Sequence, residues 1–314
     1  MHPLILEKPA HGCVIESIGL RSYMEDRKLI IEYNDGVILY AVMDGHGGTD
    51  VVDYVTKLLP EIFQRILTEN KDIRISIFNE FLRLDKDIFD KKLRSGTTLT
   101  AVLRIQNILY FINVGDSRSV LVKNGKVIFE TVDHKPGDKF EKLRIEKAGG
   151  FVGNTDTDRV DNLLAVSRAF GDNYLKNDKD GNYRGFSAKV SAEPSITRID
   201  LASDKISDSF YKYNLILASD GFWDSMTSEN TATRIQDSTC RTLMSESINS
   251  DEYNGDNITI MTDILMKDKI HNLFPVTVKD EIENTRVKMK LYYYLVGVVV
   301  FIFVLLVSFI NKYF

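Results

Sequence analysis

The sequence predicts an α+β protein built on antiparallel sheets. A two-residue turn signal, Asp35-Gly36, joins residues 28–33 to residues 37–43, and both flanking segments are rich in β-branched and aromatic residues. Asn124-Gly125 makes a second return of this kind. Such short returns join antiparallel neighbours, because parallel strands need a crossover of about a dozen residues. The hairpins therefore exclude a doubly wound parallel sheet.

Two stretches between the hairpins have helical periodicity. Apolar residues recur every three or four positions over residues 52–66 and again over residues 73–88. Pro60 lies inside the first stretch and predicts a kink or a break, since proline lacks an N–H and clashes with the preceding turn. The other predicted elements are a helix at 139–148 and strands at 99–105, 109–114, 119–123, 126–130, 163–167, 195–200, 214–219 and 257–265.

Composition and cysteine count narrow the class of protein. Hydrophobic residues make up 44% of the chain and charged residues 27%, the balance of a globular protein. The net charge of −5 and the lack of a basic stripe exclude a nucleic-acid partner. Two cysteines, Cys13 and Cys240, are too few for a disulfide framework. We expect two small buried thiols in a reducing compartment.

The C-terminal run predicts a membrane anchor. Residues 291–310 carry no charge and would span about 30 Å as a helix, the thickness of a bilayer core. A buried core helix is the alternative, but it would be more amphipathic. Positive charge precedes the run at Arg286, Lys288 and Lys290, whereas Lys312 alone follows it. The sequence thus predicts residues 1–266 as a cytosolic domain, 267–290 as a polar linker, and 291–310 as a single-pass, tail-anchored transmembrane helix.

Acidic residues cluster where predicted strands begin or end. In an antiparallel sandwich such ends can meet at one edge, where carboxylates repel one another unless cations neutralise them. Taken alone, each acid reads as a solvated turn residue; with glycine beside most of them, the set predicts a metal site. Oxygen-only ligands select hard ions such as Mg²⁺ or Mn²⁺. The residues are Glu25, Asp26, Asp44, Asp116, Asp220 and Asp256.

At these residues the chain resembles a known family. Its motifs occur in this order: RSYMED (21–26), MDGHGG (43–48), SGTT (95–98), VGDSR (114–118), DHKP (133–136), AVSRAFGD (165–172), EP (193–194), ASDGFWD (218–224) and DN (256–257). The sequence is similar to the metal-dependent protein phosphatases of the protein phosphatase 2C type, over residues 12–265. Two departures are local. Residues 159–164 differ from the family pattern, and the short segment between Asp224 and Asp256 predicts short closing helices.

The resemblance implies a four-layer αββα sandwich, two antiparallel β-sheets flanked by helices, over residues 1–266. It also implies two Mg²⁺ or Mn²⁺ ions and a weaker third. Asp44 would bridge the first two ions. The remaining ligands implied are Glu25 and the carbonyl of Gly45 for one ion, Asp220 and Asp256 for the other, and Asp116 and Asp224 for the third.

The same resemblance assigns the substrate-handling residues. Arg21 corresponds to the phosphate-binding arginine, and His46 corresponds to the general acid. Asp26 and Asn257 are expected to support the metal ligands. The implied activity is hydrolysis of phosphoserine and phosphothreonine in phosphoprotein substrates by a metal-activated water, in a chain that acts as a monomer.

Two other functions compete with this one. A catalytically silent pseudophosphatase, acting as a membrane-tethered binding module, would have lost metal carboxylates, and here all are present. A phosphatase with an aspartate nucleophile needs Asp-x-Asp after a strand, which Asp44-Gly-His does not supply.

Overall fold

Long antiparallel strands alternate with two blocks of helix along the chain. The computed structural model describes residues 3–34, 36–69, 71–153, 158–203, 212–236 and 238–266. In this part the helices are α1 (Asp50–Thr68), α2 (Ile73–Asp90), α3 (Lys139–Lys147), α4 (Asp220–Trp223), α5 (Ser228–Arg234) and α6 (Cys240–Ile248). The strands are β1 (Leu4–Ile5), β2 (Cys13–Ser17), β3 (Arg27–Asn34), β4 (Val37–Met43), β5 (Gly45–His46), β6 (Gly96–Thr97), β7 (Leu99–Ile105), β8 (Ile108–Val114), β9 (Arg118–Lys123), β10 (Lys126–Glu130), β11 (Val152–Gly153), β12 (Arg159–Val160), β13 (Phe170–Gly171), β14 (Ser195–Asp200), β15 (Lys212–Ala218) and β16 (Ile258–Met266).

The long strands form two antiparallel sheets. The first has the strand order β1-β3-β4-β7-β8-β14 and the second the order β10-β9-β15-β16-β2. The two predicted hairpins are confirmed as the pairs β3–β4 and β9–β10, and the strands predicted at 99–105 and 109–114 pair as β7–β8. Asn124 and Gly125 have φ angles of 51° and 71°, as a type I′ hairpin turn requires.

Three apolar layers hold the sheets and helices together. Between the sheets lies a buried cluster that includes Tyr40, Phe111 and Leu217. A second layer joins α1 and α2 to the outer face of the first sheet, where Phe63 and Phe81 meet edge to face. A third covers the second sheet with α4, α5 and α6. The layer order is therefore helix, sheet, sheet, helix, as the resemblance implies, and α5 and α6 are short as expected.

Helix α1 runs through Pro60 without a break, so the break is the wrong one of the two predicted outcomes, a kink or a break. Leu59, Ile62 and Phe63 are buried on either side of the proline. Burial of this apolar face against the sheet outweighs the one backbone hydrogen bond that proline removes. The Pro60 carbonyl also accepts a hydrogen bond from the Tyr33 hydroxyl at 3.2 Å.

The segment 163–167 is not a strand, which corrects a second expectation. Asp161 and Asn162 have φ angles of 50° and 61° and turn the chain back on itself. Leu164 makes a single bridge to Val160, and Leu163 is 56% exposed. Within the described residues, the segment forms only this isolated bridge and no ladder with a neighbouring strand.

The two cysteines form a disulfide bond, so the expectation of unpaired thiols is wrong. Cys13 on β2 and Cys240 at the start of α6 are 227 residues apart in sequence. Their Cα atoms lie 5.9 Å apart, within the usual range for a disulfide. The fold makes this pair by placing α6 over the edge strand of the second sheet.

The predicted linker (267–290) and transmembrane helix (291–310) lie outside the described residues. In the ranges that the structure describes, no helix combines the length and apolar character needed to cross a bilayer.

A fully buried ion pair joins α2 to the loop after β13. Lys176 Nζ donates to Asp85 Oδ1 at 2.6 Å, and both side chains are 0% exposed. Asp85 also accepts hydrogen bonds from the Tyr183 hydroxyl at 2.8 Å and the Gly171 amide at 2.9 Å. Such a pair is stable only while both charges are present.

We expect Asp85→Asn to lower the free energy of unfolding by roughly 3–5 kcal/mol, because it leaves the Lys176 charge buried and unpaired. Urea unfolding measures the effect. Asp90→Asn on the same helix is the matched control, since it breaks only an exposed pair with Lys86 and should cost less than about 1 kcal/mol. Equal losses in the two variants would contradict the prediction.

Candidate active site

One cleft of about 710 Å³ gathers the acidic residues of both sheets. The expected convergence at one edge is observed, although the individual roles stay predictions. Asp26 and Asn257 are buried, at 1% and 5% exposure. The predicted residues that line the cleft are Arg21, Glu25, Asp44, Gly45, His46, Asp116, Asp220, Asp224 and Asp256.

The SGTT motif fixes the backbone of Asp44 at the end of β4. The Asp44 carbonyl accepts from the Thr98 amide at 2.9 Å and from Thr97 Oγ1 at 3.0 Å. The Asp44 amide donates to Thr98 Oγ1 at 3.2 Å. Because both the amide and the carbonyl of Asp44 are hydrogen-bonded, its backbone is held in place and fixes where the carboxylate starts.

Asn257 holds the loop that carries Glu25. Its Oδ1 accepts from the Glu25 amide at 2.8 Å, and its Nδ2 donates to the carbonyls of Ile18 and Tyr23. This contact fits the supporting role predicted for Asn257. Both ends of the amide are used and the residue is buried, which excludes a glycan at the Asn257-Ile-Thr sequon.

The buried carboxylates repel one another. Burial raises the pKa of Asp44 well above its usual range, and the charges of Asp220, Asp26 and Asp116 raise it further. Burial is also the main reason that the pKa of Asp116 rises to about 7 and those of Asp220 and Asp26 to about 6. Each aspartate therefore carries a cost that a nearby cation would relieve.

The donor chemistry fits a hard divalent cation. Every predicted ligand is an oxygen, as Mg²⁺ and Mn²⁺ prefer. Asp220 Oδ1 is buried and, within the described ranges, has no hydrogen-bond partner. As they are placed, however, no three His, Cys, Asp or Glu side chains of the described residues lie close enough to hold an ion.

Two basic side chains enter this acidic cleft. Arg21 Nη2 donates to Asp256 Oδ2 at 2.7 Å. Lys135 Nζ lies 3.5 Å from Asp116 Oδ2, beside the position that the resemblance gives to a weaker third metal. The DHKP motif by itself indicates no role for Lys135. Its charge now offsets part of the carboxylate repulsion.

His134 of the same motif is a second residue that sequence reasoning left without a role. Its Nδ1 accepts from the Gly115 amide at 3.1 Å, and its Nε2 lies 2.8 Å from Ser195 Oγ. Burial lowers the pKa of His134 to about 3, so the ring is neutral at ordinary pH. It therefore holds the loop that carries Asp116.

His46 contacts a buried aspartate that the sequence did not single out. Its Nε2 lies 2.9 Å from Oδ2 and 3.0 Å from Oδ1 of Asp172. Burial lowers the pKa of His46, but the charge of Asp172 and its hydrogen bond outweigh burial and leave the pKa raised. Asp172 ends the AVSRAFGD motif, yet nothing in the sequence pairs residues 126 positions apart.

The comparisons with known proteins agree with this fold and identify the family. The sequence profile of the family described as protein phosphatase 2C matches residues 14–249. This chain belongs to the protein phosphatase 2C family.

Individual members of the family are similar to this chain in sequence. The chain is 39% identical over 220 residues to "Probable protein phosphatase 2C 55" of Oryza sativa subsp. japonica, which covers 68% of this chain and 53% of that protein. It is 34% identical over 248 residues to "Protein phosphatase 1L" of Bos taurus, which covers 74% of this chain and 65% of that protein. The chain thus spans about half the length of the first relative.

A solved structure supports the fold independently. The crystal structure of a phosphatase from a pathogenic strain of Toxoplasma gondii superimposes on this chain with a TM-score of 0.68 and 23% sequence identity. The superposition covers 86% of this chain and 97% of the phosphatase. At this identity the likeness shows the shared fold.

Without divalent cations, the cluster should destabilise the fold as pH rises from about 4 to about 7. The pKa of an aspartate in the unfolded chain is about 3.9, whereas burial raises the pKa of Asp116 to about 7 in the folded state. The folded state therefore binds more protons in this window, and its stability falls as they leave.

Thermal unfolding in EDTA between pH 4.5 and pH 8 measures the effect. Asp116→Asn should gain stability over the wild type toward the upper end, by at least about 1 kcal/mol, and Mn²⁺ should stabilise the wild type most there. Asp180→Asn, in an exposed turn, is the control. A difference between Asp116→Asn and wild type that is constant across pH would refute the prediction.

Proposed function

We propose that this chain hydrolyses phosphoserine and phosphothreonine in proteins with the help of bound Mg²⁺ or Mn²⁺. The observation that carries the proposal is the single cleft in which buried, mutually repelling carboxylates meet an arginine and a His–Asp pair. Membership of the protein phosphatase 2C family supports it. Every proposed site residue comes from one chain, so the enzyme is proposed to act as a monomer.

The oxygen ligands divide between the proposed ions. Asp44 would be shared by two of them, and the weaker third would compete with Lys135 for its carboxylates. When bound, such ions supply Lewis acidity, which acidifies water and offsets charge on the phosphate oxygens. The proposed ligands are Glu25, Asp44, the Gly45 carbonyl, Asp220 and Asp256 for two ions, and Asp116 and Asp224 for the third.

Arg21 and His46 act on the substrate. The Arg21 side chain is 58% exposed and pairs with Asp256 through one nitrogen. The planar guanidinium therefore keeps further N–H donors for two phosphate oxygens. A serine alkoxide is a poor leaving group, so a proton from His46 should contribute roughly 10²- to 10⁴-fold to the rate.

The test is phosphate release from phosphoserine and phosphothreonine peptides by the purified full-length chain. We expect activity with Mn²⁺ or Mg²⁺ and none in EDTA. Asp44→Asn should reduce turnover to background without unfolding the protein, because one carboxylate serves two ions, whereas Asp180→Asn should leave turnover unchanged. Phosphopeptide binding without turnover by the wild type would instead favour the catalytically silent binding module.

We also propose that residues 291–310 anchor the chain in a membrane with the catalytic domain on the cytosolic side. The uncharged run supports the anchor, and the basic residues before it support the orientation. The cysteines do not support this location, since a disulfide such as Cys13–Cys240 is typical of oxidising compartments.

Removal of residues 291–314 should release an active phosphatase from the membrane fraction. Alkaline extraction of membranes, followed by the peptide assay on both fractions, measures this. Protease added to sealed vesicles should digest the catalytic domain of the full-length chain, with a lumenal marker as the control. Protection of that domain would contradict the proposed orientation. Retention of the shortened chain in the membrane fraction would contradict the proposed anchor.

A further inference from the structure

We infer that Asp172 is a positioning residue for catalysis: it holds the ring of His46 through Nε2, so that Nδ1 delivers the proton to the leaving oxygen. The inference rests on the proposed phosphatase function and concerns a residue outside the metal ligands.

The contact between His46 and Asp172 is close, and its carboxylate side is buried. His46 Nε2 lies 2.9 Å and 3.0 Å from the two carboxylate oxygens of Asp172. The Asp172 side chain is 2% exposed, whereas that of His46 is 29% exposed and lines the cleft. A buried carboxylate that accepts from Nε2 fixes the orientation of the ring. Nδ1 is then the nitrogen available to substrate.

A small sheet brings the pair together. Its strand order is β13-β6-β5, which places Gly96 between the two residues: Gly96 pairs with His46 on one side and with Gly171 on the other. A Cβ atom at Gly96 would lie 2.2 Å from Asp172 Oδ2 and 2.3 Å from His46 Nε2. Glycine at this position therefore leaves the space that the contact occupies.

The backbone of Asp172 is held in an uncommon conformation. Its φ angle is 51°, in the left-handed region that residues other than glycine seldom adopt. The Asp172 amide donates to the Ser95 carbonyl at 3.1 Å, and the preceding Gly171 amide donates to Asp85 Oδ1 at 2.9 Å. The buried Asp85–Lys176 pair thus secures the turn that aims the carboxylate at His46.

The proton transfer balances as follows. Water forms the new bond to phosphorus and gives up one proton to solvent, while the bond from phosphorus to the seryl or threonyl oxygen breaks. That oxygen keeps the electron pair and takes the proton from His46 Nδ1, which leaves a neutral ring. Asp172 accepts the hydrogen bond from Nε2 throughout and exchanges no proton. The ring regains its proton from solvent before the next turnover.

The test compares two leaving groups. Asp172→Asn preserves the shape of the side chain but removes its charge. With a phosphothreonine peptide, kcat should fall about 10- to 100-fold. With p-nitrophenyl phosphate, whose phenolate leaves without a proton, kcat should fall less than about 3-fold. A merely structural role would lower both rates equally.

Two further variants make the test independent of stability. Asp172→Asn should cost almost nothing more when added to His46→Gln, because the two residues act as one unit. Gly96→Ala should reproduce the leaving-group dependence by wedging the pair apart. Asp180→Asn, in an exposed turn on the same stretch of chain, is the matched control, and thermal unfolding checks that each variant is folded.

The outcomes separate the inference from the proposed function. A wild type that hydrolyses neither substrate overturns the phosphatase proposal and the inference with it. An active wild type whose Asp172→Asn variant loses both activities equally, loses neither, or adds its full loss to that of His46→Gln overturns the inference alone.

Discussion

The mutual repulsion of buried aspartates is the constraint on which the rest of this structure depends. Asp44, Asp116 and Asp220 have raised pKa values because burial and like charge both oppose ionisation. The cleft would open or take up protons if nothing opposed that repulsion. Arg21 and Lys135 supply opposite charge at its edge, and the two packed sheets beneath supply rigidity. Burial of these charges therefore costs stability.

The supporting residues act mostly on backbone rather than on the carboxylates. Thr98 binds the Asp44 peptide unit, Asn257 binds the Glu25 amide, and His134 binds the Gly115 amide. These bonds fix the strand ends and the loop that carry the carboxylates. The same principle applies to His46, whose partner Asp172 is held through neighbouring amides by Ser95 and Asp85. A rigid frame of this kind pre-organises a site before substrate arrives.

Family membership and the proposed activity of this chain rest on different observations. The profile match over residues 14–249 establishes the family. The proposed activity rests on the convergence of particular side chains in the cleft, because folds of one family can keep or lose their chemistry. Lys135 and Asp172 are part of that convergence. Neither residue is a predicted metal ligand, so the site includes more than the set of predicted ligands.

The sequence by itself determined the elements and residues whose signals are local. The hairpins follow from turn pairs such as Asn124-Gly125, the helices from their apolar periodicity, and the acidic set from its motifs. The tertiary structure decided what depends on distant partners: the intact helix at Pro60, the irregular segment 163–167, the Cys13–Cys240 bond and the His46–Asp172 contact. The two cysteines are 227 residues apart in sequence, and His46 and Asp172 are 126 residues apart. Local propensity holds no information about such contacts, because only packing of the complete fold brings their partners together.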